Sequence, residues 1–160
     1  SMYYIYMIGA RVVDGVSKIR EEELTPLVEE FYARVRADPA LGPIFNDAID
    51  DWPEHLGKLT AFWSSVMLTS GRYKGQPVPA HLEHKARITP ALFERWLALW
   101  VQTTNDRMTP EAAAALQAKA RRIAESLQLA MFFQLEERSA ASVANAERKD
   151  AIERPGQTHG

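Results

Sequence analysis

The residues best suited to chemistry in this chain are its four histidines: His55, His81, His84 and His159. His159 stands in a polar stretch, so imidazole-based metal chemistry must draw on the other three. His81 and His84 are three residues apart, and if this short piece is helical, both rings project to roughly the same side. One of them could then hold an axial position on an iron. The alternative is that both are half-exposed polar residues on a connector.

Other site chemistries find little support. The chain has no cysteines, which excludes disulfides, thiolate metal sites and thiol catalysis. Di-iron bundles require Glu-x-x-His pairs, and no acidic residue stands three positions before His55, His81 or His84. A zincin motif, a Gly-rich phosphate loop and a Gly-x-Ser-x-Gly turn are also missing, although a Ser-His-Asp triad stays open. What remains is an imidazole in an apolar helical pocket, which is what a haem site requires.

Length and composition are those of one globular domain: 160 residues, 46% hydrophobic and 25% charged. Nineteen Lys and Arg against 21 Asp and Glu give a net charge of -2. This charge provides no field to attract a nucleic-acid backbone, so we expect no nucleic-acid partner. The apolar residues 2–13 are too few to span a bilayer and lack the basic leader of a signal peptide. We therefore expect a cytoplasmic protein without a membrane span.

Three Thr-Pro pairs predict helix starts, because Thr is a good N-cap and Pro fits the first helical position. No segment alternates as a strand would, so the sequence predicts an all-α protein. The connection that carries His81 and His84 is long and irregular for a plain bundle, which favours a site there. The predicted helices run from near Pro26 (or a turn earlier, from Arg20) to Asp38, from a capping box at Asp51 and Glu54 to about Leu68, from Pro90 onward, and from Pro110 to about Arg138.

Helical spacing points two polar side chains toward the interior. Tyr32 lies on the apolar stripe of the first helix, where a buried phenol needs a hydrogen-bond partner. His55 shares one face of the second helix with Leu59, Phe62 and Val66. An imidazole at the rim of an apolar face suits a gate at a pocket mouth, and an ordinary surface histidine gives the same pattern. The other predicted buried stripes are Leu24, Leu27, Val28, Phe31 and Val35 in the first helix, Phe93, Trp96 and Trp100 in the third, and Leu116, Ala120, Ile123, Leu127, Met131 and Leu135 in the last.

Six runs of the sequence, in order and spacing, resemble the group III class of bacterial truncated haemoglobins. The runs are FYARVRAD, LGPIFN, WPEH, KLTAFW, YKGQP and WLALW. The resemblance covers roughly residues 19–138. It implies a shortened globin fold, a two-over-two helical sandwich around one haem b. Residues 1–18 are then an N-terminal extension, and residues 139–160 are expected to form a polar, disordered tail.

The same resemblance assigns roles to particular residues. The haem-ligating histidine of that class follows the Gly-Gln-Pro element after three residues, which falls on His81. The distal tyrosine, histidine and tryptophan fall on Tyr32, His55 and Trp96. His84 stands where an apolar residue is expected and is the alternative ligand. The residues expected to pack on the haem are Phe31, Phe45, Leu59, Phe62 and Phe93, and those that could meet its propionates are Arg72, Lys74, Lys85 and Arg87.

The function implied is binding of dioxygen and other diatomic ligands, such as NO and CO, on a His-ligated haem iron. NO dioxygenase or peroxidase-like activity and an unidentified reductase as redox partner are compatible with it, and whether the protein is an enzyme stays open. The rival hypothesis is a haem-free helical interaction module whose aromatic residues are simply core.

Overall fold

The computed structural model of the protein describes residues 19–75 and 87–153, apart from the side chains of 133–139 and 153. Within these residues every regular element is an α-helix, which confirms the all-α prediction. No helix in these two ranges holds an apolar stretch of the kind that crosses a membrane. The helices are α1 (Glu21–Ala37), α2 (Gly42–Ala48), α3 (Trp52–Leu68), α4 (Pro90–Arg107) and α5 (Pro110–Glu153).

Helix α1 begins ahead of its Thr-Pro pair. The backbone N–H of Arg20 donates to Oε2 of Glu23 at 3.1 Å, one half of a capping box. Acidic residues fill the first turn, where they favour the positive end of the helix dipole. Pro26 therefore lies inside the helix, at the cost of one backbone hydrogen bond close to its start. Of the two starts that the sequence allowed, the earlier one is confirmed.

The helices pack as the two pairs of a shortened globin fold. α1 packs on α3, α4 packs on α5, and α1 also contacts α4 where the pairs cross. Three fully buried aromatic residues fill this crossing, Phe31, Trp63 and Trp100. Trp63 and Trp100 stack with ring centroids 4.4 Å apart, and Phe31 meets Trp100 edge-on at 4.8 Å. Large aromatic residues of this kind dominate the packing energy of a small core.

The predicted stripe of α1 is buried throughout, as is that of α5 as far as Met131. The stripe predicted for α3 is different, because of its members only Val66 is buried and the others are half-buried. Its core-facing side includes small polar residues that form hydrogen bonds. The Thr60 hydroxyl, for example, donates within the helix to the Leu56 carbonyl at 2.9 Å. Most of the apolar stripe predicted for α3 therefore lies beside the core and not inside it. The residues that α3 buries are Trp52, Thr60, Trp63, Ser64, Ser65, Val66 and Met67.

Helix α5 continues to Glu153, well past its predicted end near Arg138. Side chains 140–152 are exposed, so no core packing holds this part of the helix. It is rich in Ala, Glu, Arg and Lys, which favour a helix through their intrinsic propensity. The structure thus has helix through residues 139–153, where the sequence suggested a disordered tail. The division into extension, globin domain and tail stays a prediction.

A buried carboxylate joins the end of α1 to α4. Asp38 accepts the backbone N–H groups of Ala40 at 2.9 Å and Leu41 at 3.0 Å. The Nε of Arg95 donates to both carboxylate oxygens, at 2.8 and 2.7 Å. The Arg95 guanidinium, helped by the backbone donors and opposed by burial, lowers the pKa of Asp38 from an ordinary 3.8 to about 2. The contact fixes the position of α1 relative to α4.

Asp38→Asn should lower the free energy of unfolding at pH 7 by about 1–2 kcal/mol, a value reduced because Arg95 is half exposed. A carboxyl with a depressed pKa stabilises the fold above its unfolded pKa, and this contribution disappears as the pH falls from about 3.8 to about 2. The difference between wild type and variant, measured by urea unfolding, should therefore shrink by about half between pH 7 and pH 3. Asp106→Asn makes the same change in charge at a carboxylate that is about half exposed, and it is therefore the control. A difference that does not change with pH would contradict the prediction.

Candidate functional site

An aromatic cluster surrounds the phenol of Tyr32, which is 4% exposed. Its ring lies 4.8 Å from Phe31, 5.9 Å from Phe45, 6.1 Å from Trp52 and 6.4 Å from His55, all between centroids. These neighbours come from α1, α2 and α3, so the fold brings three helices together at one phenol. The inward orientation predicted for Tyr32 is confirmed.

The environment of Tyr32 keeps its phenol neutral. Burial raises the pKa of Tyr32 far above its ordinary value, and a hydrogen bond with the side chain of Trp96 opposes this only in part. The indole N–H is a donor only, so in this pair the phenol oxygen accepts. A phenol that accepts one hydrogen bond can still donate its own hydrogen. The site therefore holds a neutral donor in apolar surroundings, where hydrogen bonds are electrostatically stronger than in water.

Trp96 reaches the cluster from α4. Its ring meets Phe31 edge-on at 5.5 Å and lies parallel to Trp100, at 6.3 Å and an interplanar angle of 3°. Trp100 is anchored in turn, because its Nε1–H donates to the backbone carbonyl of Leu116 at 3.1 Å. The half-buried indole of Trp96 is thus oriented by the core behind it, with its N–H toward Tyr32.

His55 stands in the first turn of α3. Asp51 caps this helix by accepting the backbone N–H of Glu54 at 3.1 Å, which confirms the Asp51 half of the predicted capping box. The carboxylate of Glu54 pairs instead with Lys58 at 3.2 Å. The backbone N–H of His55 donates to the Asp51 carbonyl at 3.0 Å. Its imidazole is half-buried and contacts the rings of Tyr32 and Trp52. The imidazole therefore lies at the rim of the cluster, as the spacing predicted.

Apolar side chains extend the wall of the cluster along α3. Leu59 and Phe62 are half-buried and pack against the core. Phe62 makes its ring contacts with Trp63 at 5.8 Å and Tyr73 at 5.2 Å, and Phe93 is buried in the core. Of the five residues expected to pack on a haem, Phe31 and Phe45 are thus in ring contact with Tyr32. The haem-packing role of all five stays a prediction.

The candidates for the iron ligand lie outside the described residues. So does one of the four cationic residues predicted for the propionates. Of the other three, Arg72 forms an ion pair with Glu21, and Arg87 pairs with Asp47 at 2.8 Å. The candidates outside the described ranges are His81, His84 and Lys85.

The cluster also includes Trp52, which is not among the site residues that the family resemblance assigns. It is the first residue of α3, and the spacing of three to His55 places both side chains on the same face of the helix. That spacing was available in the sequence, but a tryptophan at a helix start gives no sign of which ring it will meet. Its contacts with Tyr32 depend on how α1 packs against α3.

The described cluster fits a flat apolar cofactor that carries a partly charged ligand. Its walls are aromatic and aliphatic, and its polar groups are a phenol, an indole and an imidazole, all of which can donate hydrogen bonds. A haem presents an apolar macrocycle and an axial ligand whose behaviour depends on such distal donors.

Comparison with known proteins gives the family of the chain. No protein-family model matches the chain. The chain is 37% identical to group 3 truncated hemoglobin ctb of Campylobacter jejuni, over an alignment of 114 residues that covers 69% of this chain and 89% of that protein. It also superposes on the crystal structure of group III truncated hemoglobin from Campylobacter jejuni with a TM-score of 0.62, covering 69% of this chain and 90% of that one. The chain belongs to the group III truncated haemoglobins.

Proposed function

We propose that the protein binds one haem b through His81 and uses its iron to bind dioxygen and other diatomic ligands, NO and CO among them. The observation that carries the proposal is the neutral phenol of Tyr32, buried among aromatic rings and paired with Trp96. When bound, the haem supplies an iron that takes a diatomic gas reversibly and shifts negative charge onto dioxygen.

His81 is proposed as the iron ligand because it follows the Gly-Gln-Pro element at the spacing of this class. To serve, its imidazole must be neutral and should donate its other N–H to a carbonyl or carboxylate. Among the described candidates for the propionates, Lys74 is the strongest, and Lys85 stays a candidate from the sequence. Arg72 and Arg87, by contrast, already pair with carboxylates.

Tyr32 and Trp96 are proposed to act together on the distal side, with Tyr32 donating to the ligand and Trp96 donating to the phenol oxygen of Tyr32. A hydrogen bond to an acceptor with negative charge is stronger than one between neutral groups. The donors are preorganised by packing, so they need little rearrangement when a ligand arrives. These hydrogen bonds should therefore stabilise bound dioxygen more than bound CO, which takes on far less charge.

His55 is proposed to act as a gate, a side chain that blocks ligand entry at the rim of the cluster. His55→Leu should change the CO association rate measured by flash photolysis, while the free energy of unfolding shifts by no more than about 0.5 kcal/mol. The reason is that the half-buried imidazole adds little to the core. Lys58→Leu, an exposed site one turn along α3, is the control. Equal CO association in wild type and His55→Leu would make His55 an ordinary surface residue.

The test of the function is reversible oxygenation. The purified, haem-loaded protein is reduced, equilibrated with increasing oxygen and then deoxygenated, with the spectrum followed throughout. We expect saturable binding that reverses with isosbestic points and is displaced by CO. Immediate oxidation with no reversible complex would overturn oxygen binding as the function. Whether the bound gas is then used in NO dioxygenase or peroxidase-like chemistry, with a reductase, is a separate question.

A further inference from the structure

Trp52 contacts both polar residues on its side of the cluster. Its side chain is 8% exposed, and its ring lies 6.1 Å from that of Tyr32 and 5.8 Å from that of His55. The contact with His55 is edge-to-face, with an interplanar angle of 88°, an arrangement that aromatic pairs prefer. The His55 imidazole thus contacts one ring from α1 and a second ring from its own helix.

Trp52 is itself covered by a fixed cation. The guanidinium carbon of Arg36 lies 4.5 Å from the centroid of the Trp52 ring, within cation–π range. The Nε of Arg36 donates to Oδ1 of Asn46 at 3.1 Å, and Nδ2 of Asn46 donates back to the Arg36 carbonyl at 3.4 Å. Arg36 belongs to α1 and Asn46 to α2. The two helices therefore hold the guanidinium in place over the indole that begins α3.

We infer that Trp52, covered by Arg36, positions the imidazole of His55 and thereby sets how readily a diatomic ligand enters the site. The second half of this inference rests on the gating role proposed for His55. Trp52 is a positioning residue, because it acts through His55. An imidazole bounded by two rings has fewer orientations available than one bounded by a single ring. Removing the indole should therefore populate orientations that wild type excludes.

The positioning is tested first without any gas. The protein is labelled with 13C at the histidine rings, and the His55 resonance is assigned by its loss in His55→Leu. In Trp52→Leu we expect this resonance to lose the part of its ring-current shift that the indole supplies and, because the imidazole takes up more orientations, to change in linewidth. Trp52→Phe should restore much of the wild-type signal, because it keeps an aromatic edge at the same place. A purely structural role of Trp52 would lower stability in the urea unfolding of these variants and leave the linewidth of the His55 resonance at its wild-type value.

A milder pair of variants guards against misfolding of Trp52→Leu. Arg36→Met removes the cation over the indole, and Lys58→Met removes a cation from an exposed site on α3 with the same change in net charge. Arg36→Met should move the His55 resonance in the same direction as Trp52→Leu, by a smaller amount. Lys58→Met should leave it in place.

The effect on ligand entry is then measured by CO rebinding after flash photolysis. Trp52→Leu should change the association rate by about twofold to tenfold, the factor that corresponds to one aromatic contact. Combined with His55→Leu it should add nothing further, because Trp52 acts through His55.

The outcomes separate the two halves of the inference. A His55 linewidth that stays unchanged in Trp52→Leu, together with a His55 resonance that stays in place in Arg36→Met, overturns the positioning role. A moved resonance with unchanged CO association in both Trp52→Leu and His55→Leu upholds the positioning and overturns the gate, which would count against that part of the proposed function. A moved resonance with faster or slower entry in Trp52→Leu supports both halves.

Discussion

His81→Ala should lose nearly all of its haem under conditions in which the wild-type protein holds one haem per chain. A globin pocket binds its iron through one protein ligand, and apolar contacts alone do not hold the haem in one position. His84→Ala should keep most of its haem, because His84 does not stand at the spacing of the ligand after the Gly-Gln-Pro element. Haem content per chain after gel filtration measures both variants.

The two histidines serve as each other's control, since each variant removes one imidazole from the same segment of the chain. Adding imidazole to His81→Ala should restore part of the haem binding, because a free imidazole can occupy the vacant axial position. Loss of haem with His84→Ala alone, or equal loss in the two variants, would overturn the assignment of His81.

Tyr32→Phe should accelerate the dissociation of dioxygen by about tenfold to a hundredfold. The substitution removes one hydroxyl and keeps the ring, so contacts with Phe31 and Phe45 are preserved. A hydrogen bond to a charged acceptor contributes about 1.5–3 kcal/mol, which corresponds to that factor in an equilibrium constant. Dissociation of CO should respond weakly, because CO carries less charge. Stopped-flow measurement of both gases checks the prediction.

Trp96→Phe should act in the same direction as Tyr32→Phe, since its N–H bonds to the phenol oxygen and so polarises the hydroxyl. In the double variant the two effects should be less than additive, because both residues serve one ligand. Trp63→Phe is the control for loss of an indole, because this tryptophan is buried in the core and makes no ring contact with Tyr32. If Tyr32→Phe shifts both gases equally, the phenol is a packing residue.

Much of this arrangement could be predicted from spacing alone. The buried stripe of α1, including the inward turn of Tyr32, follows from helical periodicity because every member faces a neighbouring helix. The cap at Asp51 and the rim position of His55 follow from local sequence in the same way. Such features depend on residues within one or two turns of each other, which is the range that a sequence pattern reports.

Contacts between distant residues could not be predicted in this way. The bond from Arg95 to Asp38 and the stacking of Trp63 on Trp100 join separate helices, and the pattern within one helix does not specify which residue of another helix it will meet. The core side of α3 was misjudged because small hydroxyl residues such as Ser64 are buried there and bond to their neighbours. Helix α5 runs on through residues 139–153 because intrinsic propensity, which apolar periodicity does not report, favours a helix there.

Haem binding by this chain is tested most directly by an absorption titration of the purified wild-type protein with haemin. A chain that binds one haem through a histidine should give a sharp end point at one haem per chain. Reduction and addition of CO should then produce the narrow intense band of a histidine-ligated haem. A broad band that grows in proportion to added haemin, with no end point and no change on CO addition beyond that of free haem, would contradict it. That result would favour a haem-free helical protein whose aromatic cluster is only a core.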